Sequence, residues 1–458
     1  MKSNLERIYL VSPVILQNIF VTIKGYSIER TRHGGNYEKF LKELLSRNSW
    51  SFDSYLTYQK RKLKEMIVNA YEYVPFYKKL FKRLGLLPSD INSVKDLTKI
   101  PLLNKDAVRK NPFDFIDVRF KAENKSAYHT TGTTGTPIKI YANKVTRQWN
   151  YAFFDNFQIS NGLDPKKKRA TLGGRIICHP NQTSPPYWRY SPAQKNLLFS
   201  SYHMTNENLP YYIDKLEKFK PDTIDSYPSS IYILSKFILE KYRPGIISPK
   251  GIITSAATLF KEQREVIEKA FNCKVFDQYG SAEMCVFAGQ CRFGKYHLRP
   301  DYGVTELIKD NDPAVPGSIS EIVCTGLINN IMPLIRYRVG DLAILDTKEC
   351  DCGLNTPILK EVLGRIDDFI VTPDGRKIGR LSPVLKGFPV KEAQYIQKRV
   401  DQLIVRIVKA EGFENKTEKD IEIELRKRIG SEMAVKIEKV NSIKRGPGGK
   451  LRTVISEI

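Results

Sequence analysis

The sequence predicts an α/β protein with a large, multi-layered α/β domain followed by a small α+β domain. Three observations lead to this prediction: a helical N-terminal segment, short apolar strands that alternate with helices from Tyr128 onward, and a strand-rich tail with one further helix. With 458 residues the chain is too long for one simple core, and its apolar content of 41% is typical of a globular protein.

The N-terminal segment is predicted to be mainly helical, because residues 39–85 carry apolar side chains at spacings of three and four. The most apolar stretch, Ile8 to Ile23, contains Pro13 and Gln17 and is shorter than the roughly 20 residues that span a bilayer. It also lacks a small-residue cleavage site. We therefore expect an interfacial or core helix there, with no transmembrane segment and no signal peptide.

The rest of the chain is predicted from short apolar runs and helical periods. Central strands are predicted at Ala170–Ile177, Gly251–Thr254, Cys273–Phe276, Val304–Ile308, Ser318–Cys324 and Leu342–Leu345. Central helices are predicted at Leu209–Phe219, Ser229–Lys241 and Phe260–Ala270. The tail is predicted to hold strands at Tyr395–Arg399, Leu403–Lys409 and Ala434–Val440 and a helix at Glu418–Ile429. We expect the two domains to cover residues 1–365 and 366–458.

The chain is strongly basic, since Lys and Arg exceed Asp and Glu by 24. Such a charge attracts nucleic acids, anionic membrane surfaces, or phosphorylated and carboxylated small molecules. No zinc-finger spacing, RNP-like segment or basic region with heptads occurs, so we expect no nucleic-acid partner. Without an export signal the seven cysteines are expected to be reduced in the cytoplasm, with a position peripheral to the membrane left open.

The sharpest local motif is T-T-G-T-T-G-T-P at Thr130–Pro137. Small and hydroxylated residues let a loop approach phosphates closely and offer N–H and O–H donors. The motif is not a Walker A loop, because no Gly-Lys-Ser/Thr closes it. When the motif is taken alone, the alternative to a phosphate-binding loop is a plain polar turn.

Further motifs follow this loop in a fixed order. They are Asp277–Glu283 (D-Q-Y-G-S-A-E), Tyr337–Asp341 (Y-R-V-G-D), Gly364–Asp368 (G-R-I-D-D) and Arg445–Lys450 (R-G-P-G-G-K). In this order the set resembles the adenylate-forming superfamily of acyl-CoA synthetases and adenylation domains. The segments that are similar to its phenylacetate–CoA ligase branch are Tyr73–Tyr77, Ile100–Leu103, Pro333–Arg338 and Cys350–Gly353. The segments that are similar to capsular polysaccharide CapK-type proteins are Pro13–Asn18 and Ser226–Ser230.

The resemblance implies ATP-dependent activation of a carboxylate, in which an acid oxygen attacks the α-phosphorus of ATP and pyrophosphate leaves. It implies that Lys450 bridges the carboxylate and the α-phosphate, that Glu283 holds Mg²⁺, and that Arg365 lies near ribose and phosphate. The small C-terminal domain would be mobile, with Asp367 as its hinge. The nucleotide-binding residues that the resemblance implies are Thr130, Thr131, Gly132, Thr133, Thr134, Gly135, Tyr279, Gly280, Ser281, Glu283, Asp341 and Arg365.

Two positions depart from the pattern of the superfamily. Many members carry Lys where this phosphate loop has Thr136, so one cationic phosphate contact is missing. Related enzymes often carry a glutamate where this chain has T-S-A-A-T at Thr254–Thr258, which leaves backbone groups for the adenine side. The acid pocket would lie near residues 200–230 and 254–258, with Tyr202, Tyr227 and Pro228 as its walls.

A second group of residues has metal-ligand chemistry. Cys291 and His297 precede Cys350 and Cys352, and thiolates with an imidazole suit tetrahedral Zn²⁺. Spacing alone leaves metal binding open. Proteins similar to phenylacetate–CoA ligase share this arrangement, which implies a structural zinc site without a catalytic role.

The resemblance makes coenzyme A the default acyl acceptor. Transfer to coenzyme A would give an acyl-CoA as the product. Transfer to an amine or a sugar in surface polysaccharide biosynthesis is the alternative. A non-catalytic scaffold with the same fold is a third hypothesis, against which the joint presence of Glu283, Asp341, Arg365 and Lys450 argues. Some relatives are dimers, so a homodimer is a further expectation.

Overall fold

The computed structural model describes residues 4–120, 126–129, 138–179, 181–365, 370–374, 377–378, 381–385, 388–430, 432–445 and 451–458. These residues separate into two compact units. The second unit consists of Gly340–Leu342 and the chain from Leu363 onward, and the other described residues form the first unit.

The helices begin and end at residues whose chemistry favours a cap or a break. They are α1 (Asn4–Val11), α2 (Val14–Arg32), α3 (Tyr37–Arg47), α4 (Phe52–Tyr73), α5 (Pro75–Leu84), α6 (Lys105–Lys110), α7 (Lys144–Ser160), α8 (Leu209–Phe219), α9 (Pro228–Lys241), α10 (Lys261–Phe271) and α11 (Asn415–Ile429). Ser51 caps α4 by accepting a hydrogen bond from the Ser54 amide at 3.2 Å. Pro75 ends α4 and starts α5, which terminates at Gly85 in the left-handed conformation.

The strands alternate with these helices through the middle of the chain. They are β1 (Ser126–His129), β2 (Lys139–Ala142), β3 (Arg169–Gly173), β4 (Trp188–Ser191), β5 (Asn196–Ser200), β6 (Thr223–Ser226), β7 (Gly251–Ser255), β8 (Lys274–Gly280), β9 (Phe287–Gln290), β10 (Tyr296–Leu298), β11 (Gly303–Lys309), β12 (Asp312–Pro313), β13 (Ile319–Gly326), β14 (Tyr337–Asp346), β15 (Ile358–Arg365), β16 (Ile370–Val371), β17 (Lys377–Ile378), β18 (Val390–Arg399), β19 (Gln402–Lys409), β20 (Ala434–Lys439) and β21 (Val454–Ser456).

A 13-stranded mixed sheet, in the order β12-β11-β13-β14-β15-β10-β9-β8-β7-β6-β3-β5-β4, is the main feature of the fold. Strands β5, β3, β6, β7 and β8 run parallel to one another. Their registers pair Gly173 with Ser200, and Ser226 with Thr254, so the carboxyl ends of these strands lie at one edge. In open α/β sheets this edge is where ligands bind.

The second unit contains a separate sheet in the order β20-β19-β18-β21. Its core contains Tyr395, Val405, Ile421 and Leu425, so α11 packs its apolar side on this sheet. The unit is therefore a small α+β body with its own hydrophobic core.

The predicted α/β class is confirmed, and the predicted central and tail elements occur with ends that differ by a few residues. Three details differ from the sequence-based expectation. The predicted strand at Ala170–Ile177 ends at Gly173. The helical segment 39–85 is divided among α3, α4 and α5, and the predicted N-terminal helix is broken at Pro13 and extends to Arg32. Within the described residues, no helix has the length and apolarity needed to cross a bilayer.

Candidate active site and metal centre

The D-Q-Y-G-S-A-E motif lies where the parallel part of the sheet ends. Tyr279 and Gly280 are the last residues of β8, and the Met284 amide donates to the Ser281 carbonyl at 3.1 Å to close the following turn. Tyr279 is half-buried against the main hydrophobic core. Met284 has a φ of 55°, a left-handed conformation that is uncommon for a residue with a side chain. The turn is thus held in a strained geometry at the carboxyl edge.

Glu283 is buried in this turn, and its carboxylate is held by a tyrosine. The Tyr337 hydroxyl donates to Glu283 Oε1 at 2.9 Å, and Tyr337 is itself fully buried. One hydrogen bond therefore joins the D-Q-Y-G-S-A-E motif to the Y-R-V-G-D motif. Tyr337 opens the Y-R-V-G-D motif, but sequence reasoning assigned it no role, because a buried tyrosine is usually part of a core.

Asp277, the first residue of the motif, is a buried acid with two side-chain partners. The Tyr296 hydroxyl donates to Oδ2 at 2.5 Å, and the Thr254 hydroxyl donates to Oδ1. Burial raises the pKa of Asp277 to about 6, although both hydrogen bonds act in the opposite direction. Asp277 thus fixes β8 against β7 and β10, a contact that the sequence did not indicate.

The residues predicted to line the acid pocket, Tyr202, Tyr227 and Pro228, follow or precede elements at the same edge of the sheet. Tyr202 follows β5 and Tyr227 precedes α9, where Pro228 is the first helical residue. The Tyr202 hydroxyl donates to the Gly174 carbonyl at 3.1 Å. Burial, with Tyr227 nearby, raises the pKa of Tyr202. In the loop after β7, Ala256 has a φ of 67°, so a second strained turn follows a strand of the parallel part of the sheet.

Asp341 and Arg365 form an ion pair in the second unit. Arg365 Nε lies 3.1 Å from Asp341 Oδ1, and the carboxylate is mostly buried. They come from the neighbouring strands β14 and β15. The guanidinium orients a carboxylate that the resemblance assigns to the ribose hydroxyls.

The four predicted metal ligands come together in the first unit. Cys291 and His297 lie on the β9–β10 hairpin, and Cys350 and Cys352 lie on the turn between β14 and β15. Because β10 pairs with β15, the two hairpins are neighbours. The four ligand atoms all lie within 4.8 Å of one another, with Cys291 Sγ 3.6 Å from Cys350 Sγ and Cys352 Sγ 3.2 Å from His297 Nε2.

The surroundings of this cluster favour metal binding. His297 Nδ1 lies 3.1 Å from the Thr356 hydroxyl, which leaves Nε2 directed at the sulfur atoms. Burial acts to raise the pKa of Cys291, but hydrogen bonds from His297 and from backbone amides lower it to about 6. A thiolate is the form that binds zinc, and among the three cysteines only Cys291 has a lowered pKa, because burial raises the pKa of Cys350 and raises that of Cys352 to about 12.

Several predicted residues lie outside the described part of the chain. They are Thr130, Thr131, Gly132, Thr133, Thr134 and Gly135 of the phosphate loop, the hinge residue Asp367, and Lys450. Their roles stay predictions from the sequence.

Known proteins are similar to this chain over most of its length. The protein CapK of Staphylococcus aureus is 31% identical over 464 residues, which cover 99% of this chain and 100% of that protein. The model of the CapK C-terminal domain matches residues 370–457. The phenylacetate–coenzyme A ligase of Thermus thermophilus is 25% identical, over 68% of this chain and 71% of the ligase. A 2-hydroxyisobutyryl-CoA ligase structure shares the fold, with a TM-score of 0.71, 20% identity, and coverage of 90% of this chain and 91% of that one.

This fold and these relatives define the chain as an adenylate-forming ligase. Its full-length match places it more narrowly. The chain belongs to the CapK family, within the phenylacetate–CoA ligase-like branch of that superfamily.

Proposed function

We propose that the protein activates a carboxylic acid with ATP, forming an acyl-adenylate and pyrophosphate, and then transfers the acyl group to coenzyme A. The observation that carries this proposal is the buried Glu283 carboxylate, held by Tyr337 at the carboxyl edge of the parallel strands. In an open α/β sheet this edge is where a nucleotide and its acid partner would bind.

Adenylation requires that the phosphate charge be neutralised and that the nucleotide be held in place, and the proposed roles meet these needs. Lys450 supplies a point charge between the incoming carboxylate and the α-phosphate. Asp341, oriented by Arg365, accepts hydrogen bonds from the ribose hydroxyls. Tyr279 offers an aromatic face to adenine, and the Thr130–Gly135 loop offers N–H and hydroxyl donors to pyrophosphate.

Glu283 also fits the proposed Mg²⁺ requirement. Carboxylate oxygens are the ligands that Mg²⁺ prefers, and Tyr337 fixes the orientation of this carboxylate. Bound Mg²⁺ would neutralise phosphate charge during adenylation. Glu283→Gln should therefore raise the Mg²⁺ concentration needed for activity, whereas Tyr337→Phe, which keeps the carboxylate, should have the smaller effect.

The first experiment is ATP–pyrophosphate exchange with a panel of aryl, fatty, amino and uronic acids. Wild type is compared with Lys450→Ala and with Lys444→Ala, a matched control at an exposed lysine of the same tail. Exchange should depend on one acid class, vanish in Lys450→Ala and persist in Lys444→Ala. Lys450→Ala should still form thioester from preformed adenylate. Equal loss of adenylate formation and thioester formation would contradict a role for Lys450 in adenylation alone.

One observation favours a different acceptor. The CapK C-terminal model matches residues 370–457, and the relative that matches 99% of this chain is a CapK protein. If the acceptor binds to that C-terminal part, the acceptor site would therefore be similar to that of CapK and not to that of the CoA ligases. The second candidate is transfer to an amine or a sugar of surface polysaccharide biosynthesis. AMP release that requires an amine or sugar and ignores coenzyme A would establish it.

We further propose that Cys291, His297, Cys350 and Cys352 hold a structural Zn²⁺. Four protein ligands fill a tetrahedral site, so the metal would stabilise the two hairpins and take no part in catalysis. Purified protein should contain about one zinc per chain. Cys352→Ser should lower the zinc content and the melting temperature, whereas Cys324→Ser, at a buried cysteine elsewhere, should keep the zinc.

The location that suits this chemistry is the cytoplasm, which supplies ATP and coenzyme A and keeps thiols reduced. A position at the membrane surface would depend on the N-terminal helices α1 and α2.

A further inference from the structure

Helix α2 packs on the protein through a largely polar face. Its two buried residues are Gln17 and Gly25. Gln17 accepts a hydrogen bond from Arg189 and donates to the Tyr9 carbonyl at 2.8 Å, while Asn18 Oδ1 accepts from the Tyr190 amide at 3.0 Å. Val21 adds a small apolar contact. Polar groups of strand β4 thus fix which side of the helix faces inward.

The opposite face of α2 is apolar and exposed. Its large side chains are between 47% and 73% exposed, namely Ile15, Leu16, Ile19, Ile23 and Tyr26. Positions 15, 19, 23 and 26 fall on one side of a helix with 3.6 residues per turn. On α1, Ile8 and Val11 are also more than half exposed. The five exposed residues Ile15, Leu16, Ile19, Ile23 and Tyr26 are called the α2 stripe below.

Most of the charged residues on α1 and α2 are basic. Arg7 and Arg30 are exposed, and by helical geometry Arg30 lies in line with the stripe, whereas Lys24 lies on another side of α2. The acids among residues 4–32 are Glu6 and Glu29, and Glu29 is hydrogen-bonded to His33 and Gln194. An amphipathic helix with an apolar face and cationic flanks is the form that binds in the plane of an anionic membrane surface.

We propose that the α2 stripe docks the protein on an anionic lipid surface, with α2 parallel to the membrane plane. The charge favours lipid over a second copy of this chain. A two-fold interface through the stripe would bring the basic α1 and α2 segments of two copies together, in a chain whose net charge is +24. Anionic headgroups instead complement these cations, and each basic residue near such a surface strengthens binding.

The test is vesicle co-sedimentation of the full chain with phosphatidylcholine vesicles, with and without phosphatidylglycerol. Wild type should bind the anionic vesicles and only weakly the neutral ones. The triple variant Ile15→Ser/Ile19→Ser/Ile23→Ser should lower the bound fraction by roughly tenfold or more. Arg7→Glu/Arg30→Glu should remove the preference for phosphatidylglycerol.

The matched control is Val315→Ser/Ile319→Ser/Ile423→Ser, which changes three other exposed apolar residues and should bind like wild type. ATP–pyrophosphate exchange in the absence of lipid should be equal for both triple variants, which verifies that they fold. A separate variant, Ile19→Trp, should show fluorescence quenching by brominated phosphatidylcholine in anionic vesicles.

Four results would overturn the proposal. The first is wild-type protein that binds neither vesicle, and the second is equal binding by the α2 and control variants. The third is a lipid-free dimer that the α2 variant alone converts to a monomer, which would make the stripe a contact between two copies. Unquenched fluorescence of the vesicle-bound Ile19→Trp variant would likewise exclude insertion of this face.

Discussion

Helices α2 and α4 lie in the same unit and have similar lengths, yet they present opposite faces to the protein. Helix α4 buries the apolar residues Tyr55, Leu63, Met66, Ile67 and Ala70. Helix α2 buries Gln17 and Gly25 and leaves Ile15, Ile19 and Ile23 exposed. Both sequences have apolar residues at helical spacing, so the spacing predicts a helix in each case but does not determine which face becomes buried.

The largest expected difference comes from one substitution made in each helix. Ile67→Ala should lower the free energy of unfolding of the first unit by about 2–5 kcal/mol, because Ile67 is fully buried and a cavity would remain. Ile23→Ala, at a residue that is 62% exposed, should change it by less than about 0.5 kcal/mol.

Urea unfolding followed by tryptophan fluorescence measures this pair. All three tryptophans, Trp50, Trp149 and Trp188, belong to the first unit, so the signal reports that unit and not the second. If both variants lose the same free energy of unfolding, the α2 stripe is covered in solution.

The next effect concerns pH and the end of α2. Burial lowers the pKa of His33, but hydrogen bonds with Asp155 and Glu29 outweigh it and raise the pKa to about 9, from an ordinary 6.5. Protonated His33 therefore stabilises the fold below pH 6.5, and this stabilisation is lost as the pH rises through 9. The full effect is at most about 3 kcal/mol.

His33→Gln should remove most of this pH dependence between about pH 6 and about pH 9. The cost of Ile67→Ala on α4 should be the same at both ends of that range, because no titrating group takes part. Unfolding curves at several pH values measure both variants, and a pH-independent cost of His33→Gln would contradict the ion-pair assignment.

A smaller effect is expected where α2 approaches β4. A Cβ at Gly25 would lie too close to the Ser191 hydroxyl and within 3.2 Å of Gln194 Cγ. Gly→Ala in a helix interior normally stabilises by about 1 kcal/mol, but here crowding should reverse the sign and give a net loss of about 1 kcal/mol. Ser27→Ala, on the exposed side of the same helix, should cause no loss in the same unfolding experiment.

The smallest effect concerns the start of α4. Ser51→Ala removes the side-chain cap and should cost about 1 kcal/mol, whereas Ser51→Gly should cost only a few tenths. Helix α2 begins after Pro13 without a side-chain cap, so its stability must come from its contacts with β4. Hydrogen exchange of the first turn of α4 should increase in Ser51→Ala and not in Ser51→Gly.

The four predicted metal ligands do come together in the structure, although their spacing alone left metal binding open and the resemblance implied the site. The sequence predicted the position of Glu283 but not its hydrogen bond with Tyr337. That bond joins residues 54 positions apart, and nothing local in either motif indicates it. The buried Asp277 was missed for the same reason, because its partners Thr254 and Tyr296 lie on other strands.

The sequence by itself determined the fold class, most of the helices and strands, and the family, because periodicity and ordered motifs are local properties of the chain. Only the tertiary structure decided which face of α2 turns inward. That choice depends on Arg189, Tyr190 and Ser191, which lie more than 160 positions along the chain. Their hydrogen bonds satisfy Gln17 and Asn18, and this leaves the isoleucines of α2 on the surface.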